Sequence, residues 1–146
     1  MKFLVPIYNR NKSEAEIQAD TYSAIIRMGL DPKLEVRGYL LSGRKCLFDI
    51  VVFWPLNHFP ICIIECKKGH GVSKDNTQIE RYRRFNLPVL VAGKSNQHQT
   101  LLEVLRLAEK DITNAPPSFN ASQLKLADSF VKELKPVSFQ SNSLPL

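Results

Sequence analysis

The chain has 146 residues, 44% of them apolar and 23% charged, with a formal net charge of +6. That is enough chain for one domain with a sizeable core, and its longest apolar runs, LFDIVVFWPL and PICIIEC, fall short of the roughly 18 residues a membrane span needs. MKFLVPIYNR lacks a signal-peptide core and cleavage site, so a cytoplasmic protein with no membrane partner is expected.

Taken in chain order, NKSEAEIQADTYSAIIRMGLDP reads as a helix. Ser13 is a good N-cap, and Glu16 three residues on completes a capping box. Ile17, Ala24, Ile25 and Met28 give an apolar face, and Gly29 and Pro32 end the helix. Leu34 to Leu41 suits a strand, and SGRK a turn. Cys46 to Trp54 is a second strand, rich in β-branched and aromatic residues. PLNHF turns the chain into a third strand, PICIIEC. GHGVSKDN is a loop, and Asn76 to Asn86 suits a short helix. LPVLVAG is a short strand able to lie parallel to the third. SNQHQTLLEVLRLAEKDI is an amphipathic helix. NAPPSFN links it to a last helix, ASQLKLADSFVKELK, with Leu124, Ala127, Val131 and Leu134 on one face.

The expected domain division is a core over residues 1–113, a linker and appended C-terminal helix over 114–135, and a fraying tail over 136–146. The fold class is α/β, with a mixed sheet flanked by helices.

Cys46, Cys62 and Cys66 lie in apolar runs and are odd in number, which favours buried, reduced thiols. Cys62, Cys66 and His70 match no common zinc spacing and lack a fourth ligand. The basic residues cluster: Arg10 and Lys12, Arg44 and Lys45, Lys67 and Lys68, then Arg81, Arg83 and Arg84. Such clustering favours a polyanionic partner.

The chemistry concentrates in the second and third strands. If PLNHF is a hairpin loop centred on Asn57, Trp54 faces Pro60, and Asp49 comes to stand opposite Glu65. Period-two alternation puts Lys67 on the Glu65 face. Two carboxylates so placed repel unless a cation lies between them, and magnesium takes such oxygens. The plainer alternative is a strand-end ion pair between Glu65 and Lys67, worth about 0–1 kcal/mol. Acids in strongly apolar strands favour the metal site, since buried acids are rare unless paired or metal-bound.

The order helix, FDIVVF with Asp49, CIIECKKG with Glu65 and Lys67, helix, strand resembles the PD-(D/E)XK nuclease superfamily over roughly residues 13–105. The nearest likeness is to resolvase-like, VRR-type and RecB-like members. The resemblance implies a restriction-endonuclease-like αβββαβ core and a Mg²⁺-dependent deoxyribonuclease, with Mn²⁺ able to substitute. It implies Asp49, Glu65 and the backbone carbonyl of Cys66 as metal ligands and Lys67 as the catalytic lysine. Phe48 stands where the motif's proline would be.

Resolvase-like and VRR-type members also carry an acid in the first helical turn, reaching the metal through water. Glu14 is preferred over Glu16 for this role, because Glu16 holds the capping-box position. Gln78 and Tyr82, four apart on one helix face, resemble the Q-x-x-x-Y motif that contacts substrate in RecB-like nucleases. Lys68, Arg81 and Arg84 are expected on the flanking DNA backbone. The alternative function is a non-catalytic nucleic-acid-binding module on the same fold. A homodimer through the C-terminal helix is a further expectation. A structural domain whose E-x-K is only an ion pair is the remaining possibility.

Overall fold

The computed structural model describes residues 13–67 and 85–134. Helix α1 spans Glu14–Arg27. Ser13 caps it: its Oγ accepts the Glu16 N–H at 3.2 Å and donates to Glu16 Oε1 at 3.2 Å. The other end closes as a Schellman turn. Leu30 N–H reaches the Ile25 carbonyl and Gly29 N–H the Ile26 carbonyl, with Gly29 at φ 87°.

That tight turn delivers the chain directly into β1, Asp31–Tyr39, so the strand begins three residues earlier than the sequence predicts. Pro32 is tolerated because β1 is an edge strand. Strand β2 is Lys45–Phe53, β3 is Pro60–Cys66 and β4 is Val89–Ala92. Helix α2 spans Gln97–Lys110, a 3₁₀ turn covers Ile112–Asn114, and helix α3 is Ala121–Glu133.

The chain is thus α/β, with a four-stranded mixed sheet in the order β1-β2-β3-β4. The first two pairings are antiparallel, and β3 and β4 run parallel, as expected. The expected helix Asn76–Asn86 lies outside the described residues except for its last two positions. None of the helices among the described residues is long and apolar enough to cross a membrane.

All three helices described pack on one face of the sheet. Ile17 and Ile25 of α1, Leu101, Val104 and Leu105 of α2, and Ala127 and Val131 of α3 share one buried cluster with Ile50, Val52, Cys62 and Ile64. The opposite face carries a smaller cluster of Cys46, Phe48, Val51 and Ile63, with Phe85, Leu87 and Val89 against it. There Phe48 and Phe85 meet edge to face at 5.1 Å. Gly38 permits this: a Cβ at that position would lie 2.6 Å from the Phe48 ring.

The C-terminal helix, expected as an appendage, contributes to the main core. Phe119, in the segment expected as a linker, is buried and packs edge to face on Trp54 with ring centres 5.0 Å apart. The fully buried Trp54 satisfies its indole N–H on Asp111 Oδ2 at 2.7 Å. The face of α3 carrying Ala127 and Val131 is therefore occupied within the chain.

The hairpin differs from expectation near its turn. Pro60 pairs with Phe53, not Trp54, and the register shifts by a residue between Val52 and Phe53. Trp54 N–H instead bonds the Phe59 carbonyl at 2.8 Å. Proline has no N–H for a regular pair, and a bulge is where a sheet tolerates it. Beyond the bulge the register becomes Val52↔Cys62, Val51↔Ile63, Ile50↔Ile64, each pair centred on Asn57 as the sequence predicts.

Candidate metal site at a fork in the sheet

The β2–β3 ladder stops at Ile50↔Ile64. Past that point β2 continues beside β1 as far as Tyr39↔Lys45, and β3 continues beside β4 as far as Cys66↔Ala92. The two central strands therefore diverge. Asp49 and Glu65 are the first residues inside the fork.

They do not form the direct ladder pair that simple counting gives. The Asp49 carboxylate instead spans the gap, its Oδ2 accepting the Cys66 N–H at 2.7 Å. The Asp49 charge is near enough to Glu65 to raise its carboxyl. Lys67 Nζ lies 3.5 Å from Glu65 Oε1. Three of the residues singled out in the sequence thus converge.

Glu65 is 4% exposed. Burial pushes its carboxyl up to about 7, the Asp49 charge adds to the rise, and Lys67 opposes it. A bound cation would favour the ionised form of the Glu65 carboxyl.

Cys66 ends β3. Its N–H points at Asp49, while the next amide, Lys67 N–H, bonds Ala92 O on the other side at 2.8 Å. In an extended strand one residue's N–H and C=O leave toward the same neighbour. The Cys66 carbonyl accordingly leaves on the Asp49 side, where the expected backbone ligand would have to be. The Cys66 thiol faces the helix-side core. Burial first, then Asp49, Glu65, Glu14 and Glu35, push it up to about 12. Burial alone does the same to Cys62. In the metal-free protein burial thus favours the protonated form of both thiols.

Glu14 is the first residue of α1, and its charge contributes to the rise of the Cys66 thiol. Glu16 is engaged in the cap with Ser13. Gln78, Tyr82, Lys68, Arg81 and Arg84 lie outside the described residues, as do Arg83 and His70.

Two neighbours were not singled out in the sequence. Gln18, one turn after Glu14, donates from Nε2 to the Asp49 carbonyl at 2.9 Å and to Glu35 Oε1 at 3.1 Å. The four-residue spacing of Glu14 and Gln18 puts both on one helix face and was the available signal. Nothing in LEVRGYLL marks Glu35.

Among the described residues no group of three or more histidine, cysteine, aspartate or glutamate side chains is arranged to hold a metal. The protein donors at the fork are two carboxylates and a nearby carbonyl. An all-oxygen set with only two carboxylates suits Mg²⁺, which keeps several waters and shares its shell with substrate phosphates. Comparison with family models, with curated proteins and with solved structures finds no match to this chain.

Proposed function

We propose that this protein is a Mg²⁺-dependent nuclease hydrolysing phosphodiester bonds, with DNA as the substrate and a restriction-endonuclease-like core as its fold. The observation that carries the reading is the convergence of Asp49, a buried Glu65 and Lys67 where β2 and β3 part. A structural ion pair needs Glu65 and Lys67 alone. It does not by itself call for a second carboxylate close to the first, although Asp49 also accepts the Cys66 N–H.

Asp49 and Glu65 would hold the cation, with the Cys66 carbonyl beside them and Glu14 acting through water. When bound, the cation supplies a more acidic water and offsets charge on the phosphate. Asp49 can do this while keeping its Cys66 bond, since a carboxylate has about four acceptor positions. Lys67, held near Glu65, is placed to orient the water or to neutralise charge that grows on the phosphoryl oxygens. Water adds to phosphorus, the bond from phosphorus to the leaving oxygen breaks, and that oxygen takes up a proton. The net charge of +6 suits a polyanionic substrate held largely without regard to sequence.

The test is incubation with plasmid and single-stranded DNA in Mg²⁺, Mn²⁺ or EDTA. Cleavage should require metal and fall at least 100-fold in Lys67→Ala, a loss of about 2.7 kcal/mol or more in transition-state stabilisation. Cutting in EDTA, or full activity in Lys67→Ala, overturns the mechanism. DNA binding in EDTA with no cleavage under any metal would point to the non-catalytic module instead.

A further inference from the structure

We propose that Gln18 is a positioning residue for Asp49: a brace from α1 that holds the carboxylate at the fork, with Glu35 as its second anchor. The inference rests on the metal-site reading above.

The starting point is an irregularity in β2. In an unbroken strand Phe48 and Ile50 would share a face. Here Phe48 packs with Val51 in the smaller cluster, and Ile50 packs with the helices. The alternation is broken at Asp49. That break lets the Asp49 side chain lie in the gap toward β3, on the Cys66 N–H.

The neighbouring strand is disturbed at the same level. The β1–β2 ladder runs from Leu34↔Ile50 to Val36↔Phe48 and omits the pair between Glu35 and Asp49. Glu35 sits at φ 53°, in the left-handed region. For a residue other than glycine, asparagine or aspartate this backbone is uncommon and costs on the order of 1 kcal/mol or more. Something must hold two adjacent strands in this state.

Gln18 reaches both. One side-chain NH₂ carries two hydrogens, and the two bonds to Asp49 O and Glu35 Oε1 use both. The bond to Asp49 goes to its backbone carbonyl, so it fixes the peptide from which the carboxylate projects. Gln18 is thereby tied to the main chain of one irregular residue and the side chain of the other. It needs no contact with the cation to decide where Asp49 points.

The test compares Gln18→Leu, which removes both bonds at similar bulk, Glu35→Gly, which removes the carboxylate and accepts positive φ, and Asp49→Asn as reference. Mn²⁺ affinity is measured by calorimetry on metal-free protein, and melting temperature in EDTA. Gln18→Leu should weaken Mn²⁺ binding about 10- to 100-fold, the usual effect of losing a group that orients a ligand. It should lower kcat for DNA cleavage while leaving KM for DNA unchanged. Glu35→Gly should weaken Mn²⁺ binding in the same direction by less, with the melting temperature held or raised.

If Gln18→Leu binds Mn²⁺ as the unmodified protein does while Asp49→Asn does not, the brace is overturned and the metal site stands. If the unmodified protein binds no Mn²⁺ at millimolar concentration, the metal reading falls and takes the brace with it. Should Gln18→Leu fail to fold, the Glu35→Gly titration decides, and unchanged affinity there counts against the brace.

Discussion

The β2–β3 hairpin has two ends built on opposite principles. At the turn end polar groups are satisfied and apolar surface is enclosed. Trp54 is fully buried, its indole N–H is on Asp111, and Asn57 binds both the Asn114 carbonyl and the Phe59 N–H. At the open end the same two strands separate, with the Asp49 carboxylate across the gap on the Cys66 N–H and Lys67 3.5 Å from the buried Glu65. One end is arranged as a fold needs it. The other gives up ladder pairs and gathers like charges. The proposed metal site would account for this local expense, because a sequence otherwise avoids buried acids.

The contrast breaks most visibly at Trp54. Trp54→Ala should lower stability by about 3–5 kcal/mol through loss of the indole and the cavity it leaves. Chemical denaturation measures this, and Mn²⁺ affinity of the folded fraction should not change. A loss of metal binding at native temperature would show that the two ends are not separable.

Glu65 is the corresponding probe at the open end, and its effect depends on pH. Its folded-state carboxyl is raised to about 7 from an ordinary 4.5. The folded protein therefore favours the protonated acid. That stabilisation is fully present below about pH 4.5 and is lost as pH rises through about 7, a change of at most about 3 kcal/mol. Glu65→Gln, which stays neutral, should match the unmodified protein at pH 4.5 and exceed its melting temperature at pH 8 by about 5 °C or more. A pH-independent difference between the two would remove the buried charge from the account.

The smallest effect belongs to Asp111. Asp111→Ala leaves the Trp54 N–H without its acceptor and should cost about 1–3 kcal/mol, read from a urea midpoint. DNA cleavage should be unaltered. If cleavage falls, the turn end has a share in the site.

Much of the hairpin was legible because its signals are local. Asn57 as the centre and Glu65 beside Lys67 follow from counting and period-two alternation. Pro60 carried the warning of a bulge, which counting alone passed over. The break at Asp49 had no such sign. CLFDIVVF reads as regular alternation on either side of it, and Glu35 is not a residue type associated with left-handed backbone. Both depend on Gln18, seventeen residues from Glu35 and thirty-one from Asp49. The core role of α3 was hidden for a related reason. Ala127 and Val131 show that a helix face seeks a partner, but they do not say that the partner is α2 and the main core.

The three cysteines give the molecule a set of internal clocks. Cys46 lies under one face of the sheet, Cys62 and Cys66 under the other, and all three are free and enclosed. A thiol reagent can reach each only when its part of the structure opens, so labelling rates sort local excursions from global ones. Cys66 belongs to the fork, and Cys62 to the paired stretch of the hairpin. The interval between their modification times therefore reads how often the fork gapes while the rest of the hairpin stays closed.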